Sequence, residues 1–300
     1  MVERIEFRGV FPAIITPMTP EGALNEEAFR RVVEFNIQAG VQGFWVAGGT
    51  GESVLLEDEE NMRLAEIAAD QSGGRAINIM HVGAATTARA AKLAEHAARV
   101  GVESICCVPP FFYGRTDEEI VEHYRVVAAA ADLPLFVYNL PSSTGVEITP
   151  RLMQKIQEKV PQLAGLKHSA PSFVHVHTFA EMGLCCLIGS CRLMLPALAG
   201  GANGCVDGPP NMLPELWVDI WKAYLDGDWP RAAAAQKKAR DTFDDIASIG
   251  GGFHALVKAA LSERLGIDCG APRLPAAPLT DEQRTALGRR LRELGLVGGQ

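Results

Sequence analysis

Three hundred residues, 48% hydrophobic and 21% charged, are enough for one barrel-sized core or two small domains, and this composition excludes extended disorder. A net charge of −8, with the basic residues scattered among acids, argues against a nucleic-acid-binding surface, and no apolar run reaches the roughly 18 to 20 residues that span a bilayer. Seven cysteines, an odd number without a C-x-x-C spacing, suggest neither a disulfide framework nor structural zinc, and the start Met1-Val2-Glu3-Arg4 lacks a signal pattern, so a cytoplasmic location is expected.

Along the chain, short apolar segments alternate with amphipathic or alanine-rich stretches. The first strand is predicted at 10–16 and is followed by a helix at 25–39, which Asn25 caps and Gly40 ends. The second strand, 43–47, runs into Gly48-Gly49-Thr50-Gly51-Glu52. Three glycines there let successive backbone N–H groups converge as an anion nest, with the Thr50 hydroxyl as an added donor, so a small carboxylate would fit. A plain glycine turn is the alternative, and the loop is too short for a nucleotide P-loop and lacks its lysine. Strands at 76–82 and 104–108 then alternate with helices at 86–100, ended by Gly101, and 116–131, opened by a Thr116/Glu119 capping box.

The fifth strand, 135–139, ends in Tyr138-Asn139-Leu140-Pro141, with Tyr138 the one tyrosine of four at a strand C-terminus. After a helix at 149–159 comes the sixth strand, 163–167, which carries Lys167, the only one of eight lysines in an apolar strand-like run. The other lysines fall in stretches read as polar and helical. An ammonium that loses water among apolar neighbours gives way to the neutral, nucleophilic amine, as a Schiff-base lysine requires; a strand-end lysine that snorkels to solvent is the alternative. Strand alternation puts Gly165 on the face of Lys167, where its missing side chain is expected to leave room for a small carbonyl compound. His168 points to the opposite face, and His175 and His177, two apart on a helix, cannot share a metal.

Strands at 185–188 and 204–206 complete eight, with a helix at 214–226 after the last. Eight strand-then-helix units over about 225 residues predict a (β/α)8 barrel, residues 1–227, with its active site at the strand C-termini. An open doubly wound sheet competes, but no dinucleotide fingerprint follows the first strand. Arg192 opens the helix after the seventh strand, Val206 ends the eighth and Asp207 follows it, so these could face the distal half of a substrate; a mutual Arg192–Asp207 salt bridge or a helix-start ion pair is the other use. Residues 228–300 read as a three-helix appendage at 229–248, 253–265 and 280–296, the last opened by a Thr280/Gln283 box.

These residues resemble the pyruvate-dependent Schiff-base lyases that include dihydrodipicolinate synthase and N-acetylneuraminate lyase. Gly48 to Glu52 is similar to that family's G-[ST]-T-G-E, Tyr138 to Pro141 to its Y-N-x-P, and Gly165-Leu166-Lys167 to its G-[IVL]-K, in the same order and with similar spacing. The resemblance implies a usually tetrameric enzyme without metal or other cofactor. In it Lys167 forms the Schiff base, Tyr138 moves protons, and Thr50 with Gly49 and nearby amides holds the pyruvyl carboxylate. The departures are specific. Dihydrodipicolinate synthase has a threonine at Gly49, a tyrosine near Phe112 and an arginine at Ser143, which carry its proton relay and its grip on the second substrate. N-acetylneuraminate lyase has an acidic pair where this chain has Ser190-Cys191-Arg192, and a serine at Gly208.

The expected reaction is therefore retro-aldol cleavage of a 2-keto-3-deoxy sugar acid, or a similar 4-hydroxy-2-keto acid, to pyruvate and an aldehyde. Ser143, Val206, Asp207 and Arg192 would lie around the distal half. Dehydration of such a sugar acid through the same adduct ranks second. Dihydrodipicolinate synthesis follows, and a non-catalytic 2-keto acid sensor last.

Overall fold

Strand follows helix eight times in the computed structural model, which describes residues 5–297. The strands are β1 Gly9–Pro12, β2 Gly43–Val46, β3 Ile77–His81, β4 Ser104–Cys107, β5 Leu135–Asn139, β6 Leu163–His168, β7 Cys185–Ile188 and β8 Gly204–Asp207. All pairs are parallel and run in the order β1-β8-β7-β6-β5-β4-β3-β2. An Ala13–Trp45 bridge, with the Ile14 amide donating to the Trp45 carbonyl at 3.1 Å, brings β1 and β2 together. This is a (β/α)8 barrel with C-terminal helices. The first strand is shorter than predicted; beyond Ala13 the apolar run stays buried but leaves the ladder.

Two cores follow from strand alternation. Inward-facing Phe11, Trp45, Ile79, Cys106, Phe136, Leu187 and Val206 fill the barrel, while the outward faces pack on the surrounding helices. The cysteines act as small apolar residues: all seven are free and six are buried.

Helix ends follow the predicted chemistry. The Asn25 side chain accepts from the Ala28 amide, Gly40 and Gly101 adopt left-handed caps, and both the Thr116/Glu119 and Thr280/Gln283 boxes close. Helix Asp58–Ser72 is not among the segments read as helical above: its first turn is wholly acidic and its cap is Glu57, which hides the start signal. No helix among the described residues is long and apolar enough to cross a membrane.

Past the barrel, helix Trp229–Ala247 packs on helix Pro214–Leu225, and helix Phe253–Leu265 reaches back to the C-terminal ends of the strands.

Candidate active site

The pairing of β5 with β6 sets Tyr138 beside Lys167 in register. Lys167 is only 4% exposed, so it does not snorkel to solvent. Its ammonium lies 4.4 Å from the Tyr138 ring centroid and 5.2 Å from that of Trp45, a cation held between two aromatic faces. The rings themselves meet edge to face at 5.5 Å. Trp45 has its place because Gly48 lacks a side chain: a Cβ there would stand 2.6 Å from the indole.

Gly165 serves a different purpose from the one expected. A Cβ at that position would come within 2.0 Å of the Cys185 carbonyl oxygen, so the glycine lets β6 approach β7 and leaves no space for substrate.

The loop after β2 sits over the phenol. A Cβ on Gly49 would lie 3.6 Å from the Tyr138 hydroxyl. Ala47 and Glu52, at φ 49° and 61°, bracket the turn in the left-handed region. The carbonyls of Gly48, Gly49 and Gly51 are engaged by the Ser53 amide, by the Glu52 amide and His254 Nε2, and by the Thr16 hydroxyl respectively. Among the described residues the amides of Gly49, Thr50 and Gly51 donate to no protein group, which leaves a cluster of free donors. Half-buried Thr50 places its hydroxyl 3.1 Å from where a Gly208 Cβ would be. The Phe253 ring already occupies the rest of that space, at 2.2 Å.

The loop is anchored by a pair absent from the sequence reading. Lys258, fully buried, meets the Glu52 carboxylate at 2.6 Å and donates to the Ala271 carbonyl at 3.0 Å, and the Arg273 amide donates to the other Glu52 oxygen. The expectation that every lysine except Lys167 lies in a polar stretch is therefore corrected. Ala255 and Leu261, three residues either side, are buried, so helical periodicity was the available signal. Burial pushes the Lys258 ammonium below the ordinary lysine range, and Glu52 opposes that shift. Lys258→Met should strand a buried carboxylate and cost about 3–5 kcal/mol in urea unfolding. The double variant with Glu52→Gln should recover more than half of that. An equal loss in the double variant would show that the two residues do not act as a pair.

A second residue missed from sequence is His81. It alternates with Ile77 and Ile79 on the inward face of β3, is 3% exposed, and meets the Tyr138 ring edge to face at 6.1 Å. Burial first, and then the nearby Lys167 charge, push its imidazole down to about 4, so it is neutral near pH 7.

The remaining candidates are distributed around the rim. Asp207 accepts from the Cys191 and Gly208 amides at 2.9 and 2.8 Å, bracing the loops after β7 and β8. Arg192 pairs with Asp244 at 2.5 Å and lies over the Phe243 ring, so the two do not form the mutual bridge weighed from sequence. Val206 is fully buried in the barrel opposite Phe11. Ser143 is exposed in the short helix Pro141–Thr144. Phe112 is 86% exposed at φ 78°. His168 faces outward as predicted, against Phe179, with Nε2 donating to the Ser172 carbonyl. No group of three or more His, Cys, Asp or Glu among the described residues is placed to hold a metal ion.

Residues 6–294 match the model of the dihydrodipicolinate synthetase family. The chain is 34% identical, over 94% of its length and 95% of the relative's, to a 4-hydroxy-tetrahydrodipicolinate synthase of Methanothrix thermoacetophila. It is 32% identical to an N-acetylneuraminate lyase of Enterobacter, over 82% of this chain and 83% of that one. The crystal structure of a dihydrodipicolinate synthase from Aquifex aeolicus superposes with a TM-score of 0.89 at 29% identity, covering 98% of this chain and all of that one.

Proposed function

The chain belongs to the dihydrodipicolinate synthetase family of lyases, and from that membership we propose that it is a class I, metal-independent lyase. In this reading it cleaves a 2-keto-3-deoxy sugar acid, or a similar 4-hydroxy-2-keto acid, to pyruvate and an aldehyde. The observation that carries the proposal is the Lys167 amine, buried between Tyr138 and Trp45 beneath a loop of free amides.

Lys167 adds to the C2 carbonyl, and the hydroxyl of the adduct leaves as water with the proton of the Tyr138 phenol, giving an iminium and a phenolate. Thr50 and the amides around Gly49 hold the adjoining carboxylate, which points the keto group at the amine. The Tyr138 oxygen takes the proton of the C4 hydroxyl; the C3–C4 bond breaks, and its electron pair forms the C2=C3 bond of the enamine while the aldehyde departs. Protonation at C3 and hydrolysis by water return the amine and release pyruvate. Ser143, Asp207 and Arg192 ring the distal half, where the Arg192 guanidinium would act through its pair with Asp244.

The second reading, expulsion of a hydroxyl from the same adduct, is favoured by one feature: Gly49 presents no side chain beside the phenol. A panel of 2-keto-3-deoxy sugar acids, read with a coupled lactate dehydrogenase assay, separates the two. Pyruvate release is expected. A dehydrated keto acid without pyruvate would assign the dehydratase, and no turnover of any keto acid would favour a sensor. We place the protein in the cytoplasm as a homotetramer, a reading supported by exposed Val54, Leu55, Phe112 and Tyr113.

A further inference from the structure

His254 is the second residue of helix Phe253–Leu265, and its Nε2 lies 3.0 Å from the Gly49 carbonyl oxygen. A carbonyl oxygen only accepts, so Nε2 carries the proton and donates. The same oxygen accepts from the Glu52 amide at 3.1 Å, which closes the turn from within. Both of its lone pairs are therefore used, one by the loop itself and one by a side chain 205 residues further along the chain. The helix is seated closely at this point. The Phe253 ring lies where a Gly208 Cβ would stand, and it meets Phe243 edge to face at 6.5 Å.

The Gly49 carbonyl and the Thr50 amide belong to one peptide unit. In a planar trans peptide the C=O and N–H point in opposite directions, so whatever fixes the carbonyl also fixes the amide. Gly49 has no Cβ to restrict rotation on its side of that unit, which leaves the restraint to hydrogen bonds. The Thr50 amide is one of the three in this loop that donate to no protein group among the described residues. A donor at the carbonyl oxygen also polarises the peptide and makes that N–H a stronger donor. Docking of the helix would be served by any contact with the loop. The contact made falls on the peptide whose N–H is free.

We propose that His254 is a positioning residue for the substrate carboxylate: by holding the Gly49 carbonyl it aims and polarises the Thr50 N–H that receives the carboxylate of a 2-keto acid bound at Lys167. This rests on the Schiff-base reading above. His254 touches no reacting atom. It sets the affinity for an anionic keto acid and leaves the amine and the phenol alone, so its loss is read in KM and not in kcat.

The test is the concentration of pyruvate that half-saturates reductive trapping on Lys167 by cyanoborohydride, beside the same measurement with pyruvamide, which keeps the ketone and replaces the carboxylate by a neutral amide. His254→Phe keeps an aromatic ring and loses the donor, whereas His254→Gln carries an N–H at the same number of bonds from Cα. In His254→Phe the half-saturating pyruvate concentration should rise about tenfold, ~1.4 kcal/mol, with the adduct yield at saturation within twofold of the parent protein. The pyruvamide value should stay within threefold, because a neutral acceptor draws less from the same N–H. His254→Gln should recover most of the pyruvate loss. The two probes are compared within each variant, so a general loss of stability does not imitate the effect. A pyruvate value within twofold of the parent in His254→Phe would overturn the proposal. So would equal weakening of both probes, which would leave His254 as a dock for the helix, and so would a glutamine variant as weak as the phenylalanine one. Failure to trap pyruvate on the unsubstituted protein is a separate result, and it strikes the Schiff-base reading itself.

Discussion

Replacing Lys167 by alanine should abolish covalent labelling by pyruvate and borohydride and lower kcat/KM for keto-acid cleavage by at least about four powers of ten, roughly 5.5 kcal/mol of transition-state stabilisation. The unsubstituted protein should carry one reduced adduct per chain, on that residue. No other group can stand in. The other buried lysine, Lys258, is held by Glu52 and the Ala271 carbonyl. The variant should fold. An ammonium at 4% exposure between two aromatic rings carries a desolvation cost that alanine removes, so the thermal midpoint should hold or rise. A lost adduct in a protein of unchanged stability separates chemistry from unfolding. Labelling at another lysine, or turnover that survives in the variant, would remove the mechanism.

Condensation of pyruvate with aspartate semialdehyde should be slower than in an ordinary dihydrodipicolinate synthase by roughly four powers of ten. The comparison is chemical. Phe112 has no proton to relay, the exposed Ser143 hydroxyl cannot give a bidentate guanidinium grip, and Gly49 removes a hydroxyl from the neighbourhood of Tyr138. Losing a charged clamp and a proton relay together costs more than about 5 kcal/mol in the transition state. Restoring the groups is feasible at one of the three positions without strain, because a Cβ at Gly49 would make ordinary contact with the Tyr138 hydroxyl at 3.6 Å. Gly49→Thr, combined with Phe112→Tyr and Ser143→Arg, should therefore raise the condensation rate. Synthesis at a normal enzymatic rate by the unsubstituted chain, with no cleavage of the sugar-acid panel, would overturn the assignment of the lyase.

What could be read from the sequence was local. Each strand is a short apolar run between helix signals, and each cap lies within three residues of the amide it satisfies, so periodicity and cap chemistry carry the barrel. Lys167 and Tyr138 were legible for the same reason: a titratable side chain interrupts an apolar strand. What escaped depends on chain segments far apart. The His254–Gly49 contact spans 205 residues. Gly165 could be seen as small, but its reason, the Cys185 carbonyl of the next strand, is a matter of how closely two strands run. Arg192 and Asp207 could be placed at the rim, but their partners could not, because Asp244 arrives from a helix beyond the barrel. His81 shares the inward face of β3 with Ile77 and Ile79, but its contact with Tyr138 joins β3 to β5 and is not a local signal.

The grip of the C-terminal helices on the loop after β2 has a consequence for how relatives of this chain can exchange parts. Lys258 holds Glu52, His254 holds the Gly49 carbonyl, and Phe253 fills the place beside Gly208 and Thr50. Recombining the barrel of one relative with the terminal helices of another would separate these residues from the partners they were selected with. Such a hybrid would leave a charge unpaired or a ring clashing beside the free amides of that loop. A substitution in the last quarter of the sequence can therefore disturb a five-residue turn more than two hundred positions away. A breakpoint that respects the function would carry the turn and the helices together.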